Sequence, residues 1–366
     1  MFYLIPYGST QPENLESITD NLQSLNDRLE SAKLLPRNQR EIMSLAEGPL
    51  LLFYDQEPIL GEFNYPLFDD VANRLGPHVI VTTEKQSDPL DSILSKYQWK
   101  SVYYFHHAFA AHDWYRGYRY DARLIEPKNR NIKKKFITFN RITSATRVYR
   151  TLLISELAKR TLLEHGHVSY SDVCPVNGCN YVRNLADARE SGLITQNIVQ
   201  ETINTLNQIE MPLRIDYEQE QFIPNGSFEL SAIPQSQESF CYLVTETCYW
   251  ERKHHLTEKI FKPIVSKMPF VLVGPAHNLK YLREYGFKTF DRWIDESYDD
   301  IEDPLLRMEA IGETMSKICA HTNDELSTML EEMTPILEHN FNLFYSNEFL
   351  DGCWGELLTN IRAILN

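Results

Sequence analysis

No stretch of this 366-residue chain stays apolar for the ~20 residues that a bilayer-spanning helix requires. No membrane span is therefore expected. The opening MFYLIPYGST lacks a basic segment and is too short for a secretory leader. It reads better as a first β-strand ending at Gly8. Cysteine is scarce, with six residues in all, which excludes a disulfide framework. Cys174 and Cys179 lie close together, but no second close pair or neighbouring His set completes a tetrahedral metal site. Unpaired thiols in a reducing cytoplasm are the expectation, with no resident metal or cofactor. Three fingerprints are also missing: G-x-x-x-x-G-K-[ST], G-x-G-x-x-G after a strand, and G-x-S-x-G. Their absence counts against P-loop ATPases, dinucleotide-dependent dehydrogenases and α/β-hydrolases. Internal repeats and low-complexity tracts are absent too.

What remains is an ordinary globular composition, 43% hydrophobic and 24% charged, with a net charge of −15. The charge is uneven. Arg116 to Arg150 holds eleven Lys or Arg against Asp121 and Glu126, a window of +9 in a remainder of −24. Such an island suits a localised anionic ligand, or else is a solvated linker, and it disfavours general adhesion to nucleic acid.

The length suggests two domains. Phe2–Pro6, Pro49–Tyr54, His78–Thr82 and Ser101–Phe105 read as short buried strands. Leu15–Leu29, Tyr65–Leu75 and Asp88–Tyr97 read as helices among them. Strands alternating with helices predict a mostly parallel sheet. The polar, basic stretch Pro127–Lys135 reads as a boundary, giving domains 1–130 and 131–366. The pattern then restarts with a strand at Lys135–Phe139, a helix at Ala145–Arg160 and a strand at His167–Tyr170. Leu185–Met211 reads as a helical excursion. Strands Phe240–Val244 and Phe270–Val273 follow, with helices from Glu258 and Asn278, and Pro304–Leu350 is dominated by helical patterns. The fold class expected is α/β, with two Rossmann-like domains facing a cleft and helices at the C-terminal end.

Four polar sets emerge where strands end, the place where open α/β sheets put their ligands. Tyr54-Asp55-Gln56-Glu57-Pro58 follows the first of them. Pro58 holds Glu57 extended, and a partly buried carboxylate there suits a general base; a polar strand-ending turn has the same composition. His106-His107 with His112-Asp113-Trp114-Tyr115-Arg116 reads as a loop with the side chains of a sugar site, as a pair of His that could bind metal, or as a satisfied polar loop around a buried Trp. Asn140 and Arg141 end a strand, and Arg147 and Arg150 follow in the next helix, where a guanidinium grips a diphosphate bidentately. The alternative is a solvent-facing Arg pair. Glu246 ends the Phe240–Val244 run. Downstream, Leu256-Thr257-Glu258-Lys259 opens a helix; its ammonium and N-terminus suit phosphates and its carboxylate suits ribose hydroxyls. An ordinary helical first turn would read the same way.

In the segments Thr245-Glu246-Thr247, His255-Leu256-Thr257-Glu258-Lys259 and Pro269–Gly274, the chain resembles the fucosyltransferase-like (family 10 type) GT-B glycosyltransferases. The resemblance implies Glu258 as ribose ligand and Lys259 as diphosphate ligand. It also implies a donor-phosphate arginine after a strand-end asparagine, matching Asn140 and Arg147, and a base within Gln56-Glu57-Pro58. Thr247 stands where the family has asparagine, and His255 where it has tyrosine. The gap from Glu246 to Glu258 is longer than in the family, so the donor sugar stays open. The segments YDQEP and HDWYRGYRY also look like those of glycosyltransferases of large tailed phages, in which case the cytoplasm is the host's.

The expectation is an inverting glycosyltransferase using a nucleotide diphosphate sugar as co-substrate. Its donor set is Asn140, Arg141, Arg147, Glu246, His255, Thr257, Glu258 and Lys259. The proton acceptor is Glu57, with Asp55 and Asp113 behind it, and the acceptor contacts are His107, Trp114, Tyr115 and Arg116. The acceptor itself is a glycan, or a hydroxylated base such as 5-hydroxymethylcytosine in phage DNA with the basic island as phosphate track. A non-catalytic sugar- or nucleotide-binding protein is the remaining possibility.

Overall fold

The computed structural model describes residues 2–4, 51–55, 57–75, 79–215 and 229–365. The chain separates into two units, unit 1 from Met1–Trp114, Glu251–His255 and Ser346–Asn366, and unit 2 from Tyr115–Trp250 and Leu256–Tyr345. The break after Trp114 replaces the boundary expected near residue 130. The polar stretch that suggested that boundary is held tightly. Arg130 is buried, and its guanidinium donates to the carbonyls of Ile125, Ser266 and Lys267. That burial pushes its pKa down to about 10.

Unit 1 holds β1 (Phe2–Leu4), β2 (Leu51–Tyr54), β3 (Val79–Thr82) and β4 (Lys100–Tyr103), all parallel and adjacent in chain order. Helix α1 (Tyr65–Leu75) connects β2 to β3, and α2 (Asp88–Tyr97) connects β3 to β4. In a sheet that steps one way, crossovers of the usual right hand bring successive helices to one face. Accordingly Leu67, Phe68 and Val71 of α1 join Leu90 and Ile93 of α2 over Leu52, Tyr54 and Ile80 in one core. Ser87 caps α2 by accepting from the Leu90 N–H at 3.3 Å, with Pro89 in the first turn. The expected helix Leu15–Leu29 lies outside the described residues.

His106–Tyr115, expected as a loop, is helix α3. Its centre, Ala108-Phe109-Ala110-Ala111, has strong helix formers, and Phe109 is buried, its ring 6.4 Å from that of Trp354.

In unit 2, β5 (Lys134–Asn140), β6 (Gly166–Tyr170), β7 (Ser239–Thr245) and β8 (Phe270–Val273) form a parallel sheet in the order β6-β5-β7-β8. A 3-10 turn, Ala145–Val148, leads from β5 into α4 (Tyr149–Lys159), buried from Tyr149 through Leu157. The excursion after β6 is two helices, α5 (Tyr181–Glu190) and α6 (Gln196–Leu206). Gly192, at φ 78°, breaks them apart in a conformation that side chains disfavour. Short helices α7 (Ile233–Gln237), α8 (Phe261–Val265) and α9 (Asn278–Glu284) precede the long α10 (Pro304–Ala320) and α11 (Asn323–Phe344). Asp303 caps α10, and a Thr322/Glu325 capping box opens α11. The last helix, α12 (Asn347–Leu365), belongs to unit 1 and not to the second domain as expected. None of the described helices is long and apolar enough to cross a membrane.

One buried ion pair fastens Glu251–His255 into unit 1. Lys253 Nζ lies 3.2 Å from Glu84 Oε2 and donates to the Ile59 carbonyl at 2.7 Å, and neither charged side chain has any solvent exposure. Glu84 also accepts from Ile59 N–H at 2.9 Å and from Ser87 Oγ. Removing one partner of such a pair strands the other, at about 3–5 kcal/mol, whereas replacing both with apolar groups is often close to neutral. Lys253→Met should lose about that amount in urea unfolding, and Lys253→Met with Glu84→Leu should recover most of it. Equal losses in the single and double variants would contradict the pair's role.

Packing across the second sheet explains one glycine. Gly166 faces Phe136, and a Cβ at that position would lie 2.4 Å from the ring. Gly166→Ala should therefore cost about 1–3 kcal/mol by overpacking, read as a lowered midpoint in thermal unfolding. An unchanged midpoint would mean that the sheet edge yields freely.

Candidate functional site

In unit 2 the strand order turns back on itself. From β5 the chain goes outward to β6, then crosses to the other side of β5 for β7 and β8. The carboxyl ends of β5 and β7 flank this switch point, where open α/β sheets bind ligands. Asn140 ends β5 and Glu246 follows β7, so the structure brings these two predicted residues to one edge.

Two polar atoms there stand out. Asn140 is fully buried; its Nδ2 donates to Thr138 Oγ1 at 3.2 Å, yet its Oδ1 has no partner among the described residues. Thr143, also fully buried, has an unpartnered Oγ1 in the same sense. A dry, unsatisfied polar atom costs about 1–3 kcal/mol, so a pair of them on one strand-end loop calls for a ligand or ordered water. Just beyond, the continuous helix from Ala145 to Lys159 points its N-terminus back at this loop, a favourable setting for an anion. Beneath the loop, the Cys174 thiol donates to Ser144 Oγ at 3.3 Å. Burial pushes the Cys174 pKa up, but Ser144 and the N–H groups of Thr143, Val176 and Asn177 bring it down to about 7.

The two arginines of this helix have different work. Arg150 is buried, and its guanidinium donates to the carbonyls of Ile142 (3.0 Å), Thr245 (3.2 Å) and Glu246 (2.9 Å), tying the ends of β5 and β7 together. Arg147 is half-buried, and its guanidinium has no hydrogen bond or ion pair among the described residues. Arg141 is exposed.

Across the switch point, Glu246 is fully buried and accepts from the N–H groups of Thr247 and Thr257, both at 3.3 Å, and from Thr257 Oγ1. Burial raises its pKa, against the opposing pull of Lys259 and Thr257. Lys259 Nζ donates to Glu258 Oε1 (3.0 Å), Thr247 Oγ1 (3.1 Å) and Thr257 Oγ1 (3.1 Å), which occupies the three donors of an ammonium. The Lys259 N–H is likewise taken by Thr257 Oγ1. The turn at Thr257 is therefore internally satisfied, and the open anion cradle is the β5–α4 turn. Lys262, which sequence reasoning missed, stands one turn on from Glu258. Burial lowers its pKa to about 8 despite Glu258, and Lys259 adds to the lowering. Its spacing from Glu258 on one helical face was the available signal.

His255, expected among the donor residues, lies in unit 1. Its ring sits edge-on to His107, with centroids 5.4 Å apart, and its Nδ1 is 3.4 Å from the Thr83 carbonyl. Tyr115 does not present a ring to a sugar: it is fully buried, which raises its pKa well above the ordinary tyrosine value, and its carbonyl accepts from Tyr345 OH at 2.7 Å. Trp114 and Asp113 are half-buried at the end of α3, and Arg116 is exposed.

At the carboxyl edge of the unit 1 sheet, Asp55 follows β2 and is only 3% exposed. It faces His106, the first residue of α3, with Oδ2 and Nδ1 3.3 Å apart. Glu57 is half-buried in a bend before Pro58.

The basic island is largely spoken for. Besides Arg130 and Arg150, Arg123 pairs with Asp121 at 2.6 Å and Lys133 with Glu238 at 2.8 Å. Lys134 donates to the Glu164 carbonyl, and Lys135 to the His321 carbonyl and Asn323. Six of the window's cations thus serve structure.

Comparison with protein-family models, curated proteins and solved structures finds no match for this chain.

The contrast between the arginines gives a test. Arg150→Ala should lower the unfolding midpoint strongly, because each carbonyl left dry costs about 1–3 kcal/mol. Arg147→Ala should fold normally and lose about 10–100-fold in affinity for a nucleoside diphosphate, the worth of one charged hydrogen bond. Calorimetric titration showing equal affinity in Arg147→Ala and the unaltered protein would remove Arg147 from the site.

Proposed function

We propose that the chain is an inverting glycosyltransferase of the GT-B type, built from two Rossmann-like domains and using a nucleotide diphosphate sugar. In this reading unit 2 holds the donor. The diphosphate rests on the β5–α4 turn, with Arg147 and the helix N-terminus taking its charge. Asn140 and Thr143 accept from or donate to the donor, and Glu258 takes the ribose hydroxyls. Lys259 acts as a nearby positive charge, and Glu246 positions the Thr257–Lys259 turn. A group of unit 1 accepts the proton of the acceptor hydroxyl.

The observation that carries this reading is a pair of buried atoms, Asn140 Oδ1 at the end of β5 and Thr143 Oγ1 in the turn after it, with no partner among the described residues. The resemblance in the Glu246 to Gly274 segments supports the choice of a sugar nucleotide over other phosphorylated ligands. The acceptor best supported is a glycan or small saccharide. The DNA alternative needs a free phosphate track, and the internal bonding of the basic island weighs against it.

Replacing a buried unpartnered hydroxyl with a methyl group removes a desolvation penalty. Thr143→Val should thus leave stability unchanged or raise it by about 1 kcal/mol, and should weaken nucleoside diphosphate binding. A variant that loses stability and keeps affinity would show that Thr143 serves the fold. Transfer assays with a panel of nucleotide sugars, offered with glycans and with hydroxymethylated DNA and read by mass spectrometry, identify the substrates. Binding without transfer or donor hydrolysis would favour a non-catalytic binding protein.

A further inference from the structure

We propose that His106, oriented by Asp55, is the proton acceptor of the transfer reaction, in place of Glu57. The proposal rests on the glycosyl-transfer reading above and concerns unit 1 alone.

The geometry is that of a carboxylate–imidazole dyad. Asp55 leaves β2 and His106 follows β4, so the two meet over the carboxyl end of β3, which lies between those strands. Asp55 is 3% exposed, whereas 18% of the His106 side chain reaches solvent. A buried carboxylate beside Nδ1 places the imidazole proton there and leaves Nε2 as the acceptor atom. A second observation marks the same edge as a ligand site. Thr83 directly follows β3, is fully buried, and its Oγ1 has no partner among the described residues.

The acceptor hydroxyl gives its proton to His106 Nε2, and its oxygen lone pair forms the new bond to the anomeric carbon. The bond from that carbon to the diphosphate oxygen breaks, and its electron pair leaves with the diphosphate. His106 is the catalytic residue, and Asp55 is a positioning residue that acts through it.

The groups facing the imidazole are Asp55 from β2, Tyr104 (ring centroids 5.9 Å apart) and His107 (5.8 Å) from its own segment, with His255 behind His107. The test is kcat, KM and donor affinity for the unaltered protein and for His106→Ala, His106→Gln, Asp55→Asn and Glu57→Gln, with the best donor and acceptor from the panel. His106→Ala should lose about 10²–10⁴-fold, keep its donor affinity, and regain activity with added imidazole. Asp55→Asn should lower kcat and leave KM and donor affinity unchanged, a split that a merely structural role would not produce. Glu57→Gln should stay within a few-fold of the unaltered protein. Near-normal turnover in a folded His106→Ala or His106→Gln variant overturns the proposal, and so does a large loss confined to Glu57→Gln. In either case the glycosyl-transfer reading stands. An unaltered protein that transfers sugar from no donor overturns both.

Discussion

The candidate donor site depends on one buried carboxylate. Glu246 sits at the end of β7 with no solvent exposure, and an isolated charge there would cost several kcal/mol. It is tolerated because the Thr247 and Thr257 N–H groups and the Thr257 hydroxyl donate to it, with the Lys259 charge close by. The bonds to Thr257 fix the return of the chain. After Trp250 the backbone contributes Glu251–His255 to unit 1, and at Leu256 it rejoins unit 2. Lys259 Nζ adds a second tie, donating both to Thr247 just after β7 and to Thr257. The Tyr149 hydroxyl and Arg150 bind the carbonyl of the same residue, so β5, β7 and α4 converge on Glu246 through its backbone as well.

Around this anchor the protein leaves some groups satisfied and others not, and the difference separates scaffold from site. Arg150 and Arg130 are buried cations that donate to backbone carbonyls, and Lys253 is held by the Glu84 carboxylate and the Ile59 carbonyl, arrangements that fix loops. Asn140, Thr143 and Thr83 are buried at or just beyond strand carboxyl ends, each with an oxygen that has no partner among the described residues. A parallel sheet buries both faces with apolar side chains, so the ends of its strands are where polar groups gather. Groups kept unsatisfied there lower stability, a cost that is retained where a ligand repays it.

Much of the framework was legible in the sequence. Helices Tyr65–Leu75 and Asp88–Tyr97 and strand Phe270–Val273 match residue for residue, because short apolar runs between turn residues and clear caps leave few alternatives. Asn140 and Glu246 stand at strand ends as expected, because strand ends can be counted from the sequence. The errors have physical causes. His106–Tyr115 was read as a loop because polar side chains obscured the helix-forming Ala108 to Ala111. Tyr115 looked like a sugar platform because composition does not give burial. His255 was grouped with Glu258 by proximity in sequence, although the Lys253–Glu84 pair draws its segment into unit 1. The dyad escaped notice because Asp55 and His106 are distant in sequence, and each strand end was read separately; only the strand order brings them together. The arginine assignment turned on which side chain the β5–α4 turn buries, which spacing from Asn140 does not fix.

The central claim is that a nucleotide diphosphate sugar binds at the carboxyl ends of β5 and β7. Backbone hydrogen exchange measured with and without saturating nucleotide sugar tests it most directly. The account predicts slowed exchange at Arg141–Val148 and Leu256–Lys259, with the core of unit 2 unchanged. Protection confined to other segments, or no protection with any nucleotide sugar, would contradict it.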